Sequence, residues 1–133
     1  MKILVIDDWF SVADGVRRLY PMDKVDQLFR IPEDLSVLDN YDVLLVDNQG
    51  IGNTTYRSGE SLLKAYEPKS EDQVVVFHSG LEPEGEFKEL LDNKDFLSFT
   101  KGHDPDKLRE LINQNISLEK RNPYELNLEE VNA

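Results

Sequence analysis

Tyr41-Asp42-Val43-Leu44-Leu45-Val46-Asp47 is the stretch that decides the fold. A strand with one face in water alternates apolar and polar residues. An unbroken run such as Val43 to Val46 suits a short strand covered on both faces and stopped by a carboxylate. Two further stretches read the same way: Ile3-Leu4-Val5-Ile6 stops at Asp7-Asp8, and Val74-Val75-Val76-Phe77 runs into His78-Ser79-Gly80. A fourth run, Phe96 to Phe99, contains Ser98, and Lys24 to Arg30 is mixed in polarity. Both of these suit the edges of a sheet.

Helical periodicity fills the gaps. Ser11 to Tyr20 sets Val12, Val16 and Leu19 on one stripe, Glu60 to Tyr66 offers Leu62, Leu63 and Tyr66, and Phe87 to Leu91 supplies a short third helix. Asp104 is a good N-cap and Pro105 a good first helical residue, after which Leu108, Leu111, Ile112 and Ile116 keep one face apolar. The stretch between the first and third strands is compact, so the second strand and its helix are expected to be short or irregular. Alternating strands and helices imply parallel pairing through right-handed crossovers. The expected fold class is α/β, a three-layer, doubly wound, five-stranded parallel sheet in the flavodoxin-like order 2-1-3-4-5, with the second and fifth strands outermost.

Composition narrows the function. The chain has 133 residues, one domain's worth, and divides into a folded unit at 1–116 and an acidic extension or tail at 117–133. Its 15 basic and 27 acidic residues give a formal charge of −12, which opposes direct binding to nucleic acid or to an anionic membrane. The absence of cysteine removes disulfides, thiolate nucleophiles and Cys-based zinc sites. The apolar run after Met1-Lys2 is too short for a signal peptide or a spanning helix, so a cytoplasmic location is expected.

In such sheets the ligand crevice lies beyond the carboxyl ends of the strands, where strand order reverses. The residues at those ends are Asp7-Asp8, Asp47, Ser79-Gly80 and Thr100-Lys101. Taken singly, each has an ordinary reading as a helix cap, a turn former or a solvated loop residue. Taken together they pose an electrostatic problem, because carboxylates about 5 Å apart at an effective dielectric near 20 repel by roughly 3 kcal/mol per pair. A hard divalent cation such as Mg²⁺ answers it, and Lys101 then remains for the other side of a bound anion. Acids, a metal, a hydroxyl and a lysine in one mouth make a phosphoryl-transfer site.

These residues carry a resemblance. Ile3 to Asp8, Tyr41 to Asp47, Val74 to Gly80 and Phe99-Thr100-Lys101 resemble, in order and rough spacing, the receiver domains of two-component signalling. The resemblance implies that Asp47 is the phospho-acceptor, and that Asp8, Asp47 and the main-chain carbonyl of Gln49 bind Mg²⁺, with Asp7 acting through a metal-bound water. It further implies that Lys101, Ser79, Asn48 and Gly80 surround the phosphoryl group. The implied partners are a histidine kinase or phosphotransfer protein and an unknown downstream protein, reached by a stand-alone monomer or weak homodimer. Self-catalysed phosphoryl transfer and autodephosphorylation are implied rather than conventional turnover.

The chain also departs from that pattern. Asn48 to Ser58 makes a longer loop before Gly59 than is usual, expected to be flexible. Gly102 stands where a proline is usual, and Ser98 where an aromatic is usual. Phe96 and Phe99 are the nearby aromatics, both expected on the face opposite Ser98. These departures define an alternative, a degenerate receiver that binds a protein partner without phosphorylation; a small Mg²⁺-dependent phosphohydrolase is a third reading, disfavoured because the chain has no room for a lid. Gly50-Ile51-Gly52 reads as a plain loop, His78 and His103 as structural, Trp9 as a lid over the mouth or a packing residue, and Asn122 to Leu126 as solvated tail.

Overall fold

The computed structural model describes residues 1–120. Five strands, β1 (Lys2–Ile6), β2 (Lys24–Leu28), β3 (Val43–Val46), β4 (Val74–Ser79) and β5 (Leu97–Thr100), alternate with four helices, α1 (Phe10–Leu19), α2 (Gly59–Ala65), α3 (Gly85–Asn93) and α4 (Pro105–Asn115). All four strand pairings are parallel and the order is β2-β1-β3-β4-β5, as the apolar runs predict. The compact segment between β2 and β3 forms a 3-10 helix, Leu35–Asn40, with Asp34 capping it by accepting from the Ser36 N–H.

Alternation along the buried strands sorts their side chains into two cores. Leu4, Ile6, Leu44, Val46, Val75 and Phe77 face α2, α3 and the 3-10 helix, meeting Leu38, Leu62, Leu63 and Leu91. Ile3, Val5, Val43, Leu45, Val74 and Val76 face α1 and α4, meeting Ala13, Val16, Leu108 and Ile112. The central strands are therefore covered on both sides, which is why Ile3 to Ile6, Val43 to Val46 and Val74 to Phe77 are unbroken apolar runs. Helix ends are closed locally: Ser58 and Ser61 form a reciprocal capping box on α2, and Asp104 accepts from the Asp106 N–H at the start of α4. The Lys94 ammonium closes the other end of α2 by donating to the carbonyls of Leu63, Lys64 and Tyr66.

Phe99 packs with the α1 and α4 core, opposite Ser98, as expected. Phe96 does not. It lies two residues from Ser98 and joins the α2 and α3 core, which is also the side of Phe77, the register partner of Ser98. Ser117 to Lys120 continue past α4, with a 3-10 turn at Leu118–Lys120, and Lys120 pairs with Asp42 at 3.2 Å. The remainder of the expected tail, including Asn122 to Leu126, lies outside the described residues. No helix among the described residues is long and apolar enough to cross a membrane.

Candidate functional site

Because β1 and β3 are neighbours in register, with Ile6 opposite Val46, their carboxyl ends deliver Asp7 and Asp47 side by side. The Asp47 N–H donates to the Ile6 carbonyl, and the Asp7 N–H to the Leu28 carbonyl. Asp7, Asp8 and Asp47 each bring a carboxylate oxygen within 4.8 Å of the others. Their exposures are graded: Asp7 is 1% exposed, Asp47 half-buried and Asp8 open to solvent.

Lys101 crosses the sheet from the end of β5. Its ammonium lies 2.6 Å from Asp7 Oδ2 and 3.3 Å from Asp47 Oδ2, so part of the expected cationic demand is met by the chain itself. One ammonium against three carboxylates still leaves the mouth anionic, and the donors are hard oxygens of the kind Mg²⁺ takes. Gly102 has a left-handed backbone (φ 94°), which a proline cannot adopt. Lys101 is aimed instead by its own N–H, which donates to the Ser79 carbonyl at 2.7 Å, and by its two ion pairs.

Asp47 is held in a strained electrostatic position. Burial is the strongest influence raising its pKa above the ordinary carboxylate range, and the Asp7 charge adds to it; the Asn48 N–H, donating to Asp47 Oδ1 at 2.8 Å, and Lys101 act in the opposite direction. The Asn48 side chain faces elsewhere, its Oδ1 accepting from the Glu60 N–H at the start of α2. Gly59 packs directly over the Asp47 carbonyl, where a Cβ would overlap it.

The long loop is not the flexible stretch its length suggests. Ile51 is fully buried in the α2 and α3 core, and its carbonyl accepts from the Ile31 N–H at 2.7 Å. Asn53 closes an Asx turn, accepting from the N–H groups of Thr55 and Tyr56 and donating to the Ile31 carbonyl. Gly50 (φ 84°) lies against the Asp8 carboxylate, where a side chain would collide with it.

The resulting cleft, about 530 Å³, is lined by Asp8, Trp9, Val12, Asp47, Gln49, Gly50 and Lys101. Trp9, 67% exposed, forms part of its wall. Ser79, Asn48 and their neighbours line an adjoining cleft, so the hydroxyl stands beside the acid mouth rather than in its lining. Gly80 has open space around it. Gln27 was invisible as a site residue: its side-chain amide donates to the carbonyls of Asp7 and Trp9, bracing the acid pair from the edge strand. A lone glutamine in a mixed strand carries no signal for that role. His78 is buried and stacks on Phe99, with centroids 6.1 Å apart, and His103 meets the same ring edge-on. Both are thus packing residues.

The architecture is the receiver fold of response regulators. Solved structures similar to this chain include a CheY-like response regulator receiver domain from Methylobacillus flagellatus (22% identity, TM-score 0.62, covering 86% of this chain and 97% of that one). Others are the signal receiver domain of a DNA-binding response regulator from Colwellia psychrerythraea (21%, 0.66, 86% and 96%) and the receiver domain of a Francisella response regulator (26%, 0.65, 85% and 93%). No family model matches the sequence, and no curated protein does. At these identities the likeness establishes the fold, and the chemistry must be argued from the site.

Proposed function

We propose that the chain is a phospho-acceptor receiver in which Asp47 takes a phosphoryl group from a phosphohistidine on a histidine kinase or phosphotransfer protein, and that the signal leaves through protein contacts. The Asp47 carboxylate oxygen attacks phosphorus, an O–P bond forms, the N–P bond breaks, and the imidazole nitrogen leaves with the electron pair. Asp8, Asp47 and the Gln49 carbonyl would hold Mg²⁺, with Asp7 behind them; the cation supplies charge neutralisation to the transferring group. Lys101 would exchange its Asp47 contact for a phosphoryl oxygen. The Asn48 N–H, now spent on Asp47 Oδ1, and the Ser79 hydroxyl are the nearby neutral donors. A cytoplasmic setting belongs to the same reading.

What carries this reading is the convergence of three carboxylates and Lys101, from three different strand ends, on one cleft. The test is incubation with acetyl phosphate and Mg²⁺, followed by intact mass and Trp9 fluorescence. The expected result is a single adduct that disappears with EDTA and in Asp47→Asn. An adduct that persists in Asp47→Asn would refute the assignment. A folded protein that takes no phosphate from acetyl phosphate or a phosphohistidine donor would favour the degenerate, phosphorylation-independent receiver.

A further inference from the structure

We propose that the groove between the start of α2 and the β4–α3 loop docks a short cationic segment of a protein partner that carries one bulky apolar side chain. This groove, about 340 Å³, lies beside the acid cleft and shares with it the chain around Asp47, through Asn48. Its floor is apolar: Phe77 and Phe87, both largely buried, meet edge-to-face at 4.9 Å. Its lip is Leu81, which at 78% exposure shows more of itself than any other large apolar residue of the described chain. A leucine held at the mouth of an aromatic-floored groove gains nothing from water, and covering it favours association.

Charge selects the occupant. Glu60, Glu82 and Glu84 rim the groove, and no lysine or arginine among the described residues lines it. Glu60 is partly offset by Lys64 at 3.2 Å, which leaves Glu82 and Glu84 as the rim charges that a ligand would meet. An acidic or purely apolar segment would leave these carboxylates uncompensated, whereas lysines or arginines flanking an apolar anchor satisfy rim and floor together. The site requires no phosphate on Asp47, and its test uses unphosphorylated protein, so it stands or falls apart from the phospho-acceptor reading.

The probe is a short labelled peptide of lysines and arginines with one central phenylalanine, measured by fluorescence anisotropy at moderate salt. Glu82→Lys and Glu84→Lys should each weaken binding roughly fivefold, and Leu81→Ser roughly tenfold. Glu71→Lys, an exposed acid before β4 at the other end of the sheet, should leave affinity within about twofold. A peptide with alanine in place of its phenylalanine should bind more weakly by a similar factor. Thermal melts of each variant confirm that these surface changes leave the fold intact. No measurable binding, equal weakening by Glu71→Lys, or full affinity in Leu81→Ser would overturn the groove as a docking site and leave only the general attraction of an acidic protein for cations.

Discussion

Asp47 shows how a residue's chemistry is set by where a strand ends. The aspartate at the end of an apolar run was visible in the sequence; its surroundings were not, because burial and the distance to Asp7 depend on the pairing of β1 with β3. That pairing raises the pKa of Asp47, chiefly through desolvation. In the metal-free protein the native state therefore holds this proton more tightly than the unfolded chain does. The group's contribution to stability falls as pH rises from the unfolded value through the raised folded one. Above that window the carboxylate is a cost, so Asp47→Asn should stabilise the protein in EDTA. The amide keeps an acceptor for the Asn48 N–H and removes repulsion of up to roughly 3 kcal/mol, less whatever the Lys101 contact returns. Urea midpoints compare the two directly: Mg²⁺ should raise that of the parent and move that of the variant little, and a less stable variant in EDTA would contradict the electrostatic account.

At the scale of elements, what the sequence made legible were the repeating ones. Val43 to Val46 could be read because four residues agree, and the α4 stripe because its apolar positions recur. A single buried residue in a loop offers no period to detect, so Gly50-Ile51-Gly52 read as plain loop. Yet Ile51 is the plug that seats the β3–α2 connection, with Asn53 and the Ile31 backbone as its braces. Gln49 and Gly50, which line the acid cleft, hang from this plug. Ile51→Ala should cost about 2–5 kcal/mol of stability, the range for truncating a buried aliphatic side chain. It should also weaken Mg²⁺ binding by the folded protein, because Gln49 and Gly50 lose their seat, read from Trp9 fluorescence below the unfolding transition. Stability loss with unchanged Mg²⁺ affinity would show that the loop holds its place without the plug.

Across the whole molecule, acid stability combines opposing contributions from two groups near the carboxyl ends of β3 and β4. His78 ends up in the α1 and α4 core because β4 is central and both its faces are covered. Burial, the dominant cause, and the nearby Lys101 charge lower its pKa to about 4, with Asp7 opposing. Between the ordinary value of 6.5 and about 4, the unfolded chain binds a proton at this histidine and the native state does not. Stability must then fall as pH drops through that window, by roughly 3 kcal/mol when the interval is converted at about 1.4 kcal/mol per unit. Asp47 works the other way, gaining stability as it takes up its proton in acid. Removing the histidine titration by His78→Gln should flatten the descent between pH 6.5 and 4, measured by urea unfolding at several pH values in EDTA. Removing the carboxylate by Asp47→Asn should steepen the descent toward its acid end. If the His78→Gln curve ran parallel to the parent across the window, the buried imidazole would already be charged in the native state. The core between β4, α1 and α4 would then have to be wetter than its packing indicates.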